Sequence, residues 1–181
     1  MGDVRIDVHR GPAAADFEAE TSVVYATVFG EAPYDKTPDE VTANARRFRA
    51  QTRKDSFRLA LARDGAGTAV GIAYGYGLGP NTGWWDALTE PVEQDLRRED
   101  GRRTFGLIEL AVLPGHRRTG LGRALHAAVL HGGTHQRVLL NARPDAAPAQ
   151  ALYRDLGYRR VGTARPWVGA VPHDVLVLDL V

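Results

Sequence analysis

From Leu110 to Leu125 the chain reads Leu-Ala-Val-Leu-Pro-Gly-His-Arg-Arg-Thr-Gly-Leu-Gly-Arg-Ala-Leu. An apolar strand ends at Pro114, a basic loop follows, and Gly120 and Gly122 stand where a helix begins. Proline cannot donate to a strand ladder, so it stops pairing and lets this strand splay from its neighbour. Glycines at a helix start let a ligand approach the first N–H groups, which lack intrahelical acceptors, and the helix dipole favours an anion there. Arg117, Arg118 and Arg123 add positive charge at the same place. The chemistry composed here is a pyrophosphate cradle. A dinucleotide-binding turn fits poorly, because six residues separate Leu113 from Gly120, Ala124 or Leu125 takes the place of a third glycine, and Asn141 stands where an acid is wanted. No Gly-Lys-Ser/Thr occurs, so a nucleoside-triphosphate loop of that type is absent. An ordinary helix start with incidental arginines is the remaining alternative.

The elements that must position this segment can be placed along the chain. Val4–His9 alternates as an edge-type strand. After Gly11-Pro12, Ala13 to Phe29 reads as a helix with Phe17, Val24 and Phe29 as candidate buried positions. Phe29-Gly30-Glu31-Ala32-Pro33-Tyr34 is a loop, and Thr37 or Asp39 caps a second helix that runs to about Thr52 with Pro38 in its first turn. Ser56–Ala62 and Thr68–Tyr76 form a hairpin around Asp64-Gly65-Ala66-Gly67. Gly77 to Arg103 is irregular and contains Trp84 and Trp85. Phe105–Leu113 is a strand, and Gly120 to Leu130 a helix with Leu121, Leu125 and Val129 on one face. Arg137–Ala142 is a strand, Ala147–Leu156 a helix, then a strand after Gly157-Tyr158 and a last strand over Val175–Val181. Strand–helix–strand units in the C-terminal half predict some parallel pairing, and the hairpin makes the sheet mixed.

The 181 residues are expected to form one domain over 1–181, with 44% hydrophobic and 25% charged residues supplying an ordinary globular core. No apolar run approaches the ~20 residues that span a bilayer, and Met1–Gly11 has no apolar stretch resembling a signal peptide. The absence of cysteine excludes disulfides, thiolate metal sites and thiol catalysis, and the cytoplasm is the expected compartment. A net charge of +1 is too balanced for a chain that coats nucleic acid.

Arg117-x-x-Gly120-x-Gly122 after Val112-x-Pro114 resembles the acetyl-CoA signature of the GNAT superfamily of N-acetyltransferases. The likeness continues through Leu140-Asn141-Ala142-Arg143 and through Ala149-Gln150-Ala151-Leu152-Tyr153-Arg154-Asp155-Leu156-Gly157-Tyr158, which is similar to the family's A-x-x-L-Y-x-x-x-G-[FY] helix. One departure is Ala146, where the family often has asparagine. The resemblance implies a mixed, mostly antiparallel sheet of six or seven strands with about four helices, splayed between the strand ending at Pro114 and the next. It also implies acetyl transfer from acetyl-CoA to a primary amine by direct attack in a ternary complex.

On that resemblance, Leu110, Ala111 and Val112 offer backbone groups to the pantetheine and acetyl carbonyl, with Val112 N–H as the oxyanion donor. Arg117, Arg118, Thr119, Gly120, Leu121, Gly122, Arg123 and Ala124 hold the pyrophosphate, and Asn141 joins the acetyl-CoA set. Tyr153 matches the tyrosine near the departing sulfur and is the candidate general acid. Glu109 shares the strand with the acetyl site, and a carboxylate on a half-buried strand makes it the candidate general base, directly or through water. By alternation it can instead face solvent. Phe29, Glu31, Tyr34, Trp84 and Trp85 are candidates for the acceptor pocket, with Asp35, Asp86, Glu90 and Glu93 as attractors of a cation and Trp167 as a closing ring. His116, His131 and His135 lack partners at ligand spacing, so no metal is expected. The expected acceptor is a small-molecule amine. A terminal or lysine amine of a protein and a non-catalytic acyl-CoA sensor are the alternatives. Neither nucleic acid nor membrane is expected as a partner, and a homodimer is left open.

Overall fold

The computed structural model describes residues 4–180. Seven strands form one open, mixed sheet in the order β1-β2-β3-β4-β5-β7-β6. They are β1 (Arg5–Arg10), β2 (Arg58–Arg63), β3 (Ala69–Gly77), β4 (Thr104–Val112), β5 (Arg137–Ala142), β6 (Arg159–Ala164) and β7 (His173–Asp179). The helices are α1 (Glu18–Phe29), α2 (Pro38–Gln51), the short α3 (Gln94–Arg97), α4 (Leu121–Leu130) and α5 (Ala147–Asp155). β1 with β2, β2 with β3, β5 with β7 and β6 with β7 pair antiparallel. β4 pairs in parallel with β5 through Thr104–Gly106 and Arg137–Leu139. Contacts divide the chain into two compact units, one holding residues up to Tyr76 with Ile108–Gly132, the other Gly77–Leu107 with residues from Gly133 onward.

In the first unit, Val24, Phe48, Phe57, Leu59, Leu61, Ile72 and Tyr74 form a core without solvent access, with the rings of Phe48, Phe57 and Tyr74 within 5.1 to 5.8 Å of one another. The single helix expected over Ala13–Phe29 is divided. Gly11–Phe17 is a 3-10 turn and the α-helix starts at Glu18. Gly11 has a positive φ of 52°, Pro12 opens the turn, and His9 stacks on Phe17 at 3.6 Å, so the chain first folds back on β1. α2 begins as expected at Thr37, whose hydroxyl accepts from the Glu40 N–H while the Glu40 carboxylate accepts from the Thr37 N–H. α4 lies against the sheet at Gly71, where an added Cβ would stand 2.8 Å from Leu125 Cδ1 and 3.2 Å from the Ala111 carbonyl. That close approach fixes the helix start beside the end of β4.

In the second unit, Phe105, Leu107, Val138, Leu139, Val175 and Val177 are buried. The strand expected over Val175–Val181 starts earlier, at His173, and Val181 lies outside the described residues. The segment read as irregular, Gly77–Arg103, is tied down by a buried ion pair: Arg137 NH2 lies 2.9 Å from Glu99 Oε1, with the two side chains 4% and 1% exposed. Arg137 also donates to Thr104 Oγ1 and the Leu96 carbonyl, and Trp85 Nε1 donates to Glu99 at 3.0 Å. Removing one partner of such a pair strands the other charge in a water-poor site. Glu99→Ala is therefore expected to cost roughly 3 kcal/mol and to lower the melting temperature by roughly 6–12 °C. Replacing both residues with leucine is expected to recover most of that loss, and a double variant no more stable than Glu99→Ala would refute the pairing as the cause.

Candidate active site

In the first unit, β4 carries Glu109 on its way to Pro114. Phe57, Phe48 and Tyr74 belong to the core of this unit, and Glu109 is half-buried. Asn44 Nδ2, on α2, lies 3.4 Å from Glu109 Oε1 and 3.2 Å from the Tyr74 hydroxyl. Burial pushes the Glu109 carboxyl up to about 8, while the charges of Arg47 and Lys36 pull it back. Burial, with the Glu109 carboxyl adding to it, raises Tyr25 and Tyr74 far above an ordinary phenol, so both remain neutral hydroxyls. A carboxyl shifted in this direction holds its proton to a higher pH than an ordinary glutamate. Asn44 and Tyr74 were not legible as site residues. The available signal was a polar Asn44 in the apolar stripe formed by Val41 and Phe48 on α2.

Past β4, the Leu113 N–H donates to the Val70 carbonyl, and Pro114–His116 form one 3-10 turn. Arg118 and Gly120 have positive φ, 62° and 87°, and Thr119 Oγ1 donates to the His116 carbonyl at 2.8 Å. Gly120 is the N-cap of α4 without a side-chain cap, and the first helical bond runs from the Ala124 N–H to the Gly120 carbonyl. The N–H groups of Leu121, Gly122 and Arg123 therefore have no acceptor inside the helix. A Cβ on Gly120 would meet nothing within 4 Å, so the space beside the N-cap is open. Arg118 and Arg123 are exposed and make no ion pair with a described residue. His126, buried on the same helix, is held down to about 4 by burial and by Arg123, and carries no charge at neutral pH. Free N–H groups, the helix dipole and two unengaged guanidinium groups fit the diphosphate of acetyl-CoA.

Arg117 sits in this loop with a narrower job. Its Nε donates to the Val112 carbonyl at 3.0 Å and its NH2 to Glu31 Oε2 at 3.1 Å, so it braces the end of β4 against the loop after α1. Glu31, read as an acceptor-site residue, is thus engaged by a residue read as a phosphate ligand. Leu110 and Val112 are half-buried and Ala111 is buried. Phe29 is 8% exposed and lies between Tyr25 and Tyr34, with ring centroids at 4.6 and 4.8 Å. It belongs to the core, and Tyr34 is the ring of that pair with open surface.

In the second unit, Tyr153 on α5 is 8% exposed, and its ring stands edge-on to Tyr158 at 5.4 Å. α5 starts at Ala146 without a side-chain cap, which is where the asparagine of the motif is missing. Asn141 Oδ1 on β5 accepts from Trp84 Nε1 at 3.4 Å. Trp84 is half-buried over Gly106, where a Cβ would come within 2.8 Å of its ring. Trp85, at 3% exposure and bonded to Glu99, lies in the interior of its unit. Asp86 pairs with Arg97 and Glu90 with Arg160. Among the described residues no group of His, Asp and Glu is arranged to hold a metal ion, and no helix is long and apolar enough to cross a membrane.

No curated protein matches the chain in sequence. In fold the chain is similar to an acetyltransferase of the GNAT family from Bacillus cereus, with 11% identity, a TM-score of 0.62 and coverage of 98% of this chain and 99% of that one. It is similar to NAA60 of Arabidopsis thaliana, solved with a bisubstrate analogue, at 15% identity and a TM-score of 0.65 over 98% of this chain and all (100%) of that one. PaiA N-acetyltransferase of Thermoplasma acidophilum, solved with coenzyme A, is 9% identical with a TM-score of 0.63, covering 97% and 99%. Residues 25–158, from α1 through the cradle to the end of the Tyr153 motif, match the family model of acetyltransferases described as GNAT. The chain belongs to the acetyltransferase (GNAT) family, an N-acetyltransferase enzyme family.

Proposed function

We propose that the chain is a single acetyltransferase domain over residues 1–181 that moves an acetyl group from acetyl-CoA to a primary amine of a small molecule in the cytoplasm. The observation that supports this most is Glu109, a half-buried carboxyl group on the strand that leads to the anion cradle. Amine attack on a thioester needs a proton acceptor for the ammonium, since an alkylamine of pKa ~10 is protonated at neutral pH. Glu109 takes that proton. The Val112 N–H stabilises the oxyanion that forms as the carbonyl is attacked. The C–S bond then breaks, Tyr153 supplies the proton to the departing thiolate, and the extra proton on the attached nitrogen restores the Tyr153 hydroxyl, so the amide and thiol leave with one proton held by Glu109. Arg118, Thr119, Arg123 and the N–H groups from Gly120 to Arg123 hold the diphosphate, with Arg117 bracing the loop and Ala124 in the first turn behind them. Held together, the two reactants gain up to ~7–11 kcal/mol over free encounter. Tyr34, Glu31 and Trp84 remain candidates to meet the acceptor.

Thiol release from acetyl-CoA, screened against small amines and against peptides with free N-termini or lysines, is the direct test. Release with small amines supports the reading. Release only with peptides would move the acceptor to protein, and bound acetyl-CoA with no release for any amine would make the chain a sensor. The cradle has its own prediction. At φ 87° a β-branched side chain is strained, and in Gly120→Val it would stand in the space beside the N-cap. Calorimetric titration of the folded variant with acetyl-CoA is expected to show an affinity loss of at least ~tenfold, from the roughly 1.4 kcal/mol of lost contact. Undiminished affinity would remove the cradle from this loop.

A further inference from the structure

α2 buries one face, and the residues on it at helical spacing are Val41, Asn44 and Phe48. An asparagine inside a helix is a poorer helix former than the leucine or alanine that would suit a core stripe. Asn44 is nevertheless 3% exposed. Its amide is not idle there. Nδ2 reaches the Tyr74 hydroxyl at 3.2 Å and Glu109 Oε1 at 3.4 Å, and the Tyr74 hydroxyl lies 3.4 Å from Asn44 Oδ1. One amide therefore spans a buried phenol on β3 and the carboxyl on β4. An N–H donor favours the ionised over the protonated carboxyl.

We propose that Asn44 is the positioning residue for the proton acceptor: its amide holds the Glu109 carboxylate through one N–H and sets the pH at which Glu109 accepts a proton. The proposal rests on the reading of Glu109 as general base. The other groups facing that carboxyl are Tyr25 from α1, Tyr74 from β3, Arg47 from α2 and Lys36 from the loop before it. Arg47 and Lys36 are the charges that favour the anion, Lys36 being shared with Glu40 at 2.7 Å, and the Asn44 N–H is the neutral donor within hydrogen-bond distance of the carboxyl. The Tyr74 hydroxyl competes for the same amide. Losing it should leave the amide to Glu109, whereas losing the amide leaves the carboxylate without its donor.

The test is the titration of the Glu109 carboxyl by carbon-13 NMR, with no acetyl donor present, alongside the pH profile of kcat/KM. In Asn44→Leu the carboxyl is expected to titrate about one pH unit higher. The rising limb of kcat/KM should move with it, so that activity at pH 7 falls roughly tenfold and converges on wild type above about pH 9. Tyr74→Phe is expected not to raise the titration. An unmoved carboxyl in Asn44→Leu, or a rate lowered equally at every pH, overturns the proposal. So does Tyr74→Phe raising the titration as far as Asn44→Leu does. A shifted carboxyl with no matching limb in kcat/KM would leave the hold by Asn44 standing and remove Glu109 as the base. Should Asn44→Leu fail to fold because Tyr74 is left with an orphaned hydroxyl, Asn44→Leu combined with Tyr74→Phe carries the same measurement.

Discussion

Glu109→Gln is expected to lower kcat/KM by roughly 10²–10⁴ at pH 7, because glutamine keeps the shape of the side chain and cannot take a proton. The size of the loss should depend on pH in a way that only a base explains. With its carboxyl near 8, the wild-type enzyme gains activity as pH rises toward 8 and then levels off. The variant must wait for amine that is already neutral, so its rate keeps rising toward a pKa of ~10. The ratio of the two rates should therefore narrow by about tenfold between pH 7 and 9. Parallel profiles over that range would mean that the amine loses its proton to bulk water.

The same substitution carries a stability signature of opposite sign. An unfolded Glu109 ionises near its ordinary 4.5, and the folded one near 8. Between those values the folded chain holds a proton that the unfolded chain has released, so this group's contribution to stability falls as pH rises through the window. Glutamine carries no such penalty. Glu109→Gln should be more stable than wild type at pH 8 by about 1–2 kcal/mol, given that the side chain keeps some exposed surface, and equally stable near pH 4. A melting temperature raised by roughly 3–8 °C at pH 8, with little difference at pH 4, is the expected result. An enzyme that becomes slower and sturdier at once carries a functional carboxyl in a place where folding alone would not put one.

What the sequence made legible follows how far apart the interacting residues lie in it. The cradle is a run of consecutive residues, and Pro114, Gly120 and Gly122 announce its geometry before any folding is considered. The cap of α2 is legible for the same reason, since Thr37 and Glu40 are three residues apart. The environment of Glu109 is not, because Tyr25, Asn44 and Tyr74 come from three elements and meet it only through packing. Strand alternation left solvent as an equal reading for Glu109, and what favours the interior is Asn44 of α2, within hydrogen-bond distance of Tyr74 on β3 and of Glu109 on β4. Glu99 and Arg137 escaped notice likewise: each is one charge among many, 38 positions apart, and only burial marks them. Trp85 lies in an irregular loop that this pair anchors from within. The split of the first helix is a local effect, from the φ of Gly11 and the ring of Phe17 on His9.

Tyr153→Phe is expected to lower kcat by roughly 10²–10⁴ while folding and affinity for acetyl-CoA persist. The substitution removes one oxygen from a side chain that is 8% exposed, and the edge-on contact with Tyr158 at 5.4 Å is made by the ring, which phenylalanine keeps. The loss should thus appear in the chemical step, and single-turnover measurements would separate it from product release. The leaving group gives the sharper diagnosis. A thiolate whose conjugate acid lies near ~8.5 departs more readily when a proton meets it, whereas the thiolate of a more acidic thiol needs no such help. An acetyl thioester with a less basic thiol, presented on the same diphosphate handle, should narrow the gap between the variant and wild type. If the gap is the same for both donors, Tyr153 does not protonate the leaving sulfur. If kcat is unchanged where chemistry limits turnover, the tyrosine serves only to pack α5 against Tyr158.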